Sequence, residues 1–340
     1  MASDRSLDVL RVIVQDYVAS REPVGSKSIV ERHAFGVSAA TIRNDMALLE
    51  EEELITAPHT SSGRIPTDKG YRVFVNQLAD LRPLTSAQRQ AIETFLGHAT
   101  DLDEVLARTV RLLSQLTHQV ALVQYPSLGR SHIRHIELVP LSSTRLMIVL
   151  ITDTGRVEQR HIDVASDLDE ELLGEVRAKL NASLGGLVLA DAAVVLDTVA
   201  SGFQKERWQF VGDIVESLRE QVAANRGERL LMAGTANLAL TAEDFGGSIF
   251  PVLEAIEEQV TLLKLFGEME PDQHGLSTSI GSENSSFGLS EASVLASGYT
   301  SSGGEFAHVG VLGPTRMDYP NNMAAVRAVA RYLSRLLGED

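Results

Sequence analysis

Closely spaced helix boundaries in the first 80 residues constrain this chain more than any other feature. Apolar residues at helical spacing predict a first amphipathic helix that ends near Ser20. A break at Pro23 and Gly25 follows, and a short second helix is predicted over residues 27–33 with Ser26 as its cap. Ser38 can cap a third helix over about residues 39–52. The chain therefore opens with three short helices separated by tight turns.

A hairpin and a fourth helix complete this N-terminal unit. Residues 54–66 are predicted to form two short strands joined by a polar tip that contains Gly63. Thr67 can cap a helix that runs to about Asp80. This order predicts a winged helix-turn-helix that ends near residue 82, with its third helix in a DNA major groove. On the pattern alone, the alternative is a solvated helical bundle with an ordinary hairpin.

The outward face of the third helix carries side chains that suit base recognition. Arg43 can donate to guanine and Asn44 can pair with adenine, while Thr41 and Ala40 can contact a thymine methyl group. Helix starts and the hairpin tip add groups that suit phosphates or a minor groove. We therefore predict a DNA-binding surface made of Ser26, Lys27, Ser38, Ala40, Thr41, Arg43, Asn44, His59, Thr60, Ser61, Ser62 and Arg64.

After the N-terminal unit, the spacing of apolar residues changes from helical to extended and back to helical. Thr85 to Gln88 have the form of a capping box and start a helical arm that continues to about Thr117. Strands are predicted from Ile133 to Val164 and again beyond Leu276, on both sides of a helix-rich middle. A final helix is predicted over residues 321–337. This order indicates a sheet domain that is interrupted by an insertion.

Composition narrows the class of protein. A length of 340 residues allows two or three domains. The absence of Cys excludes disulfides, thiolate metal sites and cysteine nucleophiles, and it suits a reducing cytosol. The longest apolar run, Leu146 to Ile151, is far shorter than the roughly 18 residues of a membrane span. The N-terminus lacks the basic-then-apolar order of a signal peptide. We therefore expect a cytoplasmic protein without a membrane partner.

The net charge of −16 argues at first against a nucleic-acid partner, since phosphate binding relies on Lys and Arg. Residues 1–80 hold 9 Lys and Arg against 12 Asp and Glu, so most of the acidity lies outside the N-terminal unit. Lys27, Arg43 and Arg64 lie on its predicted reading elements, and Glu50 to Glu53 are expected to face away. The distribution predicts weak non-specific DNA affinity.

No pattern in the sequence indicates an enzyme. G-x-S-x-G, Walker and G-x-G-x-x-G motifs are absent, and we predict no catalytic, cofactor-binding or metal-binding residues. His132 and His135 are expected to point to opposite faces of a strand, where they could not share one metal ion. The acids of residues 167–171 lie at a helix start, where they favour the positive end of the helix dipole.

Two long motifs carry a family resemblance. The first runs from Gly25-Ser26-Lys27-Ser28 through residues 35–46, then His59 to Thr67 and Gly70-Tyr71-Arg72. The second comprises residues 280–284 and Gly310 to Tyr319. Both resemble the heat-inducible transcription repressor HrcA family, so the resemblance spans the whole chain.

The resemblance implies an α+β multidomain fold with a winged-helix domain, a GAF-like α/β sheet domain and a dimerising α+β domain inserted into it. The expected ranges are 1–82 for the winged helix, 83–165 and 266–340 for the linker helix and the two parts of the GAF-like domain, and 166–265 for the insertion. It also implies a homodimeric repressor of chaperone operons that binds double-stranded DNA at an inverted-repeat operator, the CIRCE element. Its activity would depend on the GroEL-type chaperonin.

Two features of the sequence need separate treatment within that resemblance. The family's usual form has Gly in place of Glu53, so we expect a slightly strained or differently closed end to the third helix. Arg316 and Asp318 could bind a ligand in the GAF-like domain, or Arg316 could tie the last helix to the sheet through an internal ion pair, which we favour. The alternative function is therefore a repressor that senses a small molecule through this domain.

Overall fold

The computed structural model is a mixed α/β protein. It describes residues 3–59, 62–78, 85–96, 101–126, 131–153, 155–164, 167–226, 229–245, 247–301 and 306–338. In this part of the chain, no helix combines the length and the apolar character that a bilayer crossing requires.

The N-terminal unit, residues 3–78, consists of short capped helices and a hairpin. The side chains of Ser3, Ser38 and Thr67 each accept a hydrogen bond from a backbone N–H in the first turn of a helix, which confirms the caps predicted at Ser38 and Thr67. The helices bury Leu10, Ile13, Ile29, Ile42 and Leu49 against one another. The elements are α1 (Asp4–Ser20), α2 (Ser26–Arg32), α3 (Ala39–Glu51), β1 (Ile55–Thr56), β2 (Ile65–Pro66) and α4 (Asp68–Asn76).

Two helices connect this unit to the rest of the chain. α5 (Ser86–Leu96) begins with the predicted capping box, since the Thr85 N–H donates to Gln88 Oε1 at 3.0 Å and the Gln88 N–H donates to Thr85 Oγ1 at 3.2 Å. α6 (Leu102–Thr117) follows, and Asp101 caps it.

An antiparallel five-stranded sheet forms the centre of the molecule. Its spatial order is β7-β3-β10-β9-β8. Because side chains alternate along β3, Ala121 and Val123 belong to a core with α6 and α13, whereas Val120 and Leu122 belong to a core with α11 and α12. The elements are β3 (Val120–Gln124), β7 (Leu230–Ala233), α10 (Ala236–Leu240), α11 (Phe250–Glu258), α12 (Val260–Glu268), β8 (Leu276–Ile280), β9 (Ala292–Thr300), β10 (Phe306–Pro314) and α13 (Tyr319–Gly338).

The segment between β3 and β7 forms a module with its own hydrophobic core. Its three strands form a sheet of their own in the order β4-β5-β6, and three helices cover them. The module leaves and returns at adjacent positions, because the Tyr125 N–H donates to the Arg229 carbonyl at 2.8 Å. The elements are β4 (Ile133–Pro140), β5 (Arg145–Thr152), β6 (Val157–Asp163), α7 (Glu170–Leu184), α8 (Leu189–Val199) and α9 (Trp208–Arg226).

Strand pairing divides the chain differently from the boundaries expected at residues 165/166 and 265/266. β4, β5 and β6 were expected in the GAF-like range 83–165, but they belong to the separate module. β7 and the helices up to residue 265 were expected in the insertion 166–265, but β7 pairs with β3 in the central sheet. An alternating pattern indicates a strand without indicating its partner, which is why the sequence misassigned them.

The end of α3 has the left-handed residue that the sequence indicated. Glu53 has φ +60°, its N–H donates to the Glu50 carbonyl at 3.0 Å, and the Leu54 N–H donates to the Leu49 carbonyl at 2.9 Å. These two bonds form a Schellman motif, and Leu49 and Leu54 are both buried beside it. A side chain with a Cβ is strained at this φ, so the expected strained cap is confirmed.

Replacing Glu53 by Gly is expected to stabilise the N-terminal unit by about 1 kcal/mol, because Gly adopts this φ without the Cβ clash. The melting temperature of the full chain measures the effect. Glu53→Ala is the control, since it removes the charge and keeps the Cβ. A melting temperature that does not rise with Gly, or that rises equally with Ala, would contradict the backbone explanation.

Candidate nucleic-acid interface

Helix α3 presents one buried and one exposed face, as the sequence predicted. Ile42, Met46 and Leu49 are buried, whereas Arg43 and Asn44 are exposed. The exposed face also carries Ala40, while Thr41 is half-buried beside the Ser38 cap. This face is therefore accessible to a ligand as large as DNA.

A buried carboxylate fixes the rotation of α3. Asp45 is 2% exposed and accepts hydrogen bonds from Arg5 Nε at 2.8 Å and Arg5 Nη2 at 3.1 Å. The Ser6 hydroxyl donates to the same carboxylate at 3.3 Å. These contacts join α3 to α1 through a forked guanidinium that restricts the geometry. Arg43 and Asn44 are therefore held on the outer surface.

The start of α2 differs from the prediction in its cap. Gly25 occupies the N-cap position, and the Ser28 hydroxyl accepts from the Gly25 N–H at 3.2 Å and donates to the Gly25 carbonyl at 2.7 Å. Ser26 is the first residue of the helix, so its hydroxyl was wrongly assigned as the cap. Lys27 beside it is exposed.

The hairpin is attached directly to the segment before α2. Arg64 and Val24 exchange two backbone hydrogen bonds of 2.9 Å. Gly63 lies so close to this segment that a Cβ would be 2.6 Å from the Pro23 carbonyl atoms, which explains why Gly is needed there. At the tip, the Ser62 hydroxyl donates to the His59 carbonyl at 2.7 Å. The predicted residues Thr60 and Ser61 lie outside the described residues.

A groove of about 430 Å³ lies between α2, α3 and the hairpin. It brings together five of the predicted residues, namely Ser26, Lys27, Arg43, Ser62 and Arg64. Ser38, Ala40, Thr41, Asn44 and His59 do not line this groove. The three cations of the groove come from three different elements, so their proximity depends on the fold of the whole N-terminal unit.

Glu50 also lines the groove and was missed by the sequence analysis. Its Oε2 accepts from Arg64 Nε at 3.0 Å and lies 2.9 Å from Arg64 Nη2. Glu50 was expected to face away with Glu51 to Glu53, and this expectation was wrong for Glu50. The signal was present in the spacing, because residues 43, 47 and 50 follow one another on the same helix face.

The acidic and histidine residues for which no catalytic or metal-binding role was predicted have structural contacts of their own. Asp169 caps α7 by accepting from the Glu171 N–H at 3.0 Å. His132 Nδ1 lies 2.9 Å from Asp153 Oδ2, and His135 Nε2 lies 3.2 Å from Glu137 Oε2. The simple alternation assumed for the two histidines fails, because the β4–β5 register shifts between Ile133 and His135. Within the described residues, no three His, Asp or Glu side chains are grouped as metal ligands.

A hydrogen bond from Arg177 is the main cause that lowers the pKa of Glu137, and burial of the carboxylate opposes it. The His135 contact lowers this pKa as well. Glu137 therefore acts as the ionised partner of Arg177, whose Nη1 lies 2.6 Å from Glu137 Oε1.

Arg316 has a different partner from the one that its neighbour in sequence suggested. Its Nε donates to Asp244 Oδ1 at 3.0 Å, whereas the Asp318 carboxylate accepts from the Asn321 N–H at 3.2 Å, in the first turn of α13. Arg316 does form an internal ion pair, but that pair reaches Asp244 and not the last helix.

The chain is similar to known proteins over its whole length. Residues 103–323 match the family model described as "HrcA protein C terminal domain". Two proteins named "Heat-inducible transcription repressor HrcA" cover 100% of this chain and are themselves covered completely. That of Clavibacter michiganensis subsp. michiganensis is 70% identical, and that of Leifsonia xyli subsp. xyli is 66% identical.

A solved structure has a similar overall fold. Its title is "Crystal structure of a hypothetical protein at 2.2 A resolution"; it is 28% identical, aligns over 99% of both chains and has a TM-score of 0.71. The match to the family model over residues 103–323 and the full-length identities of 70% and 66% are more than a shared fold alone would give. The chain therefore belongs to the HrcA family of heat-inducible transcription repressors.

Proposed function

We propose that this protein is a repressor of heat-shock genes and that its N-terminal unit is a winged helix-turn-helix. The observation that carries the proposal is the groove in which Lys27, Arg43 and Arg64 meet beside the exposed face of α3. A helix with an exposed polar face and cations at its edges is what a major groove accepts. The names of the full-length relatives agree with this assignment.

Within this interface, we assign base contacts to α3 and phosphate contacts to its surroundings. Arg43 donates to a guanine edge and Asn44 to an adenine edge, and Ala40 and Thr41 contact methyl groups. Ser26, Lys27 and Ser38 position the helix on the backbone. His59, Ser62 and Arg64 follow the adjoining strand from the hairpin, which acts as the wing. Thr60 and Ser61 complete the wing in this proposal.

The other parts of the molecule serve pairing and regulation in the proposal. The central sheet corresponds to the GAF-like domain, and the module between β3 and β7 is the inserted dimerisation domain. Val157, Val194 and Trp208 are exposed apolar side chains of this module and are candidates for a surface shared by two copies. A two-fold dimer explains an inverted-repeat operator of the CIRCE type, and dependence on the GroEL-type chaperonin follows from family membership alone.

The alternative of a ligand-sensing repressor has less support. It relied on Arg316 as a ligand contact in the GAF-like domain. The Arg316 side chain is 10% exposed and already pairs with Asp244. A buried, paired guanidinium is poorly placed to meet an incoming ligand.

A mobility-shift assay on the inverted-repeat DNA of a chaperone promoter tests the proposal directly. We expect a shift with that DNA, strengthened by the chaperonin, and none with the same bases in scrambled order. Absence of a specific shift at low salt, both with and without chaperonin, would reject the repressor assignment.

Arg43 and Lys27 should separate base reading from phosphate binding. Arg43→Ala is expected to lower operator affinity by about 1–3 kcal/mol and to relax base preference at one position. Lys27→Ala should weaken binding to all sequences and reduce the slope of log K against log[salt] by about 1. Titrations of operator and scrambled DNA at several salt concentrations measure both effects. An Arg43→Ala protein that binds the operator as tightly as wild type would refute the recognition-helix assignment.

Glu50 should restrain DNA binding by holding Arg64. Both side chains are partly exposed, so their pair contributes at most about 1 kcal/mol and can be exchanged for a phosphate contact. Glu50→Gln is expected to raise affinity for all DNA up to about fivefold, with a steeper salt dependence. Glu51→Gln is the matched control, because Glu51 is an exposed neighbour that does not line the groove. Equal affinity gains in both variants would show that only net charge matters.

A further inference from the structure

Two clusters of directional contacts join the N-terminal unit to the central sheet domain. In the first, Arg72 of α4 donates from Nε to Glu283 Oε1 at 2.7 Å and from Nη2 to the Thr278 carbonyl at 2.7 Å. A second bond joins Arg72 Nη2 to Glu283 Oε2. Beside it, the Ser282 N–H donates to the Asp68 carboxylate at 2.8 Å. The partners of α4, namely Thr278, Ser282 and Glu283, lie in or just after β8.

The second cluster connects the end of α1 to two separate segments of the sheet domain. Arg316 Nη2 lies 2.7 Å from Asp244 Oδ1, and Arg316 Nη1 donates to the Val18 carbonyl at 2.9 Å and to the Tyr17 carbonyl at 3.3 Å. Arg21, just after α1, donates from Nη2 to Asp244 Oδ2 at 3.0 Å. The side chains of Arg316 and Asp244 are 10% and 6% exposed, so the Arg316–Asp244 pair is desolvated and its geometry is restricted.

Aromatic side chains fill the space between the two clusters. The rings of Tyr71 and Tyr319 are 5.6 Å apart between centroids, and both residues are buried. Burial is the main cause that raises the pKa of both phenols, so both stay neutral. The Tyr319 hydroxyl bonds to Ser293 and Thr315, whereas the Tyr71 hydroxyl has no partner among the described residues. This interface is part of one continuous hydrophobic core with α6 and α13.

The fit at the first cluster leaves no room for an added atom. Gly281 has φ +52°, and a Cβ built there would lie 2.4 Å from the Asp68 carboxylate. Backbone of the sheet domain therefore approaches α4 as closely as a glycine permits. Together, the two clusters and this close approach define one orientation of the N-terminal unit.

The residues that make these contacts are not the ones assigned to DNA. None of the described hydrogen bonds and ion pairs across this interface uses Ala40, Arg43 or Asn44 of α3, and these residues remain exposed. The docked unit therefore keeps its recognition face free. These contacts do not cover that face, so they do not produce autoinhibition.

We propose that Arg72, Glu283, Asp244 and Arg316 are positioning residues that set operator affinity without touching DNA. The inference rests on the proposed function, because it assumes a dimer on an inverted repeat. Two recognition helices must reach half-sites one helical turn or a multiple of it apart. A fixed orientation keeps the second helix at a high effective concentration once the first has bound, whereas a released unit loses that advantage. The buried Arg316–Asp244 pair suits this role, since a buried ion pair can restrict geometry more than it adds stability.

Charge reversal at the more exposed cluster provides the test. Arg72→Glu should leave affinity for DNA with a single half-site within about twofold and weaken binding to the full inverted repeat by about tenfold or more. The double variant Arg72→Glu with Glu283→Arg should recover part of the inverted-repeat affinity, because it restores the ion pair but not the bonds to the Thr278 carbonyl and the Ile280 N–H. Arg11→Glu is the control, because it makes the same charge change on an exposed position of α1 whose described ion pair is with Asp8 alone.

A distance measurement tests the position of the unit independently of DNA. The chain lacks Cys, so spin labels can be placed at Gln15→Cys in α1 and Arg331→Cys in α13, both exposed. Dimers with one labelled protomer should give a narrow distance distribution for wild type and Arg11→Glu. Arg72→Glu should broaden it, and the charge swap should narrow it again. Gly281→Ala is a second variant that should broaden the distribution through a steric clash rather than through charge.

The outcomes separate the two proposals. An unchanged distribution in Arg72→Glu and Gly281→Ala would overturn the docking role. A broadened distribution with unchanged inverted-repeat affinity, or equal losses on half-site and inverted-repeat DNA, would overturn the positioning role. If wild type binds neither DNA specifically, the repressor function fails, and the role in operator affinity fails with it, whatever the distance measurement shows.

Discussion

The pairing of β3 with β7 is the interaction on which the rest of the architecture depends. These strands are neighbours in the central sheet, with Leu122 opposite Met232, although the whole β4–α9 module separates them along the chain. The entropy of closing such a loop grows only slowly with its length, by about 0.6 kcal/mol for each doubling. The insertion is tolerated because its ends meet at Tyr125 and Arg229 and because it buries a hydrophobic core of its own. The central sheet and the inserted module can therefore each fold around apolar contacts of their own.

The N-terminal unit has the opposite relation to the central sheet. Its buried residues belong to the same continuous core as α6, α13 and one face of the sheet. Apolar packing alone is non-directional and would allow small rotations of the unit. Guanidinium forks at Arg72 and Arg316 add direction, because their donors must meet fixed oxygens on another segment. Four residues of the motifs that carry the family resemblance, Tyr71, Arg72, Glu283 and Arg316, lie at this interface.

Local features of the chain could be predicted from sequence, and long-range partners could not. The caps at Ser38 and Thr67 depend on residues within a few positions of one another, so the pattern sufficed. The strained end at Glu53 was expected because the family resemblance has Gly at this position. The partner of Arg316 lies 72 positions earlier, at Asp244, and nothing local indicates it. Likewise, period-two alternation identified β4 to β6 but could not say that they form their own sheet. In the candidate site, helix periodicity selected Arg43 and Asn44, whereas the groove with Lys27 and Arg64 required the tertiary fold.

The acidic composition bears on how much the proposed DNA binding depends on the orientation of the N-terminal unit. The groove holds Lys27, Arg43 and Arg64 against Glu50, and the N-terminal unit as a whole carries a small excess of acid. In the proposed function, this balance predicts weak non-specific attraction to phosphates, since that attraction scales with the number of cations that replace counterions. A protein of this kind cannot compensate for a misplaced recognition helix by general electrostatic attraction. In the proposed function, its selectivity comes from base contacts made at two half-sites together, and the proposed rigid attachment of each N-terminal unit then supports tight binding.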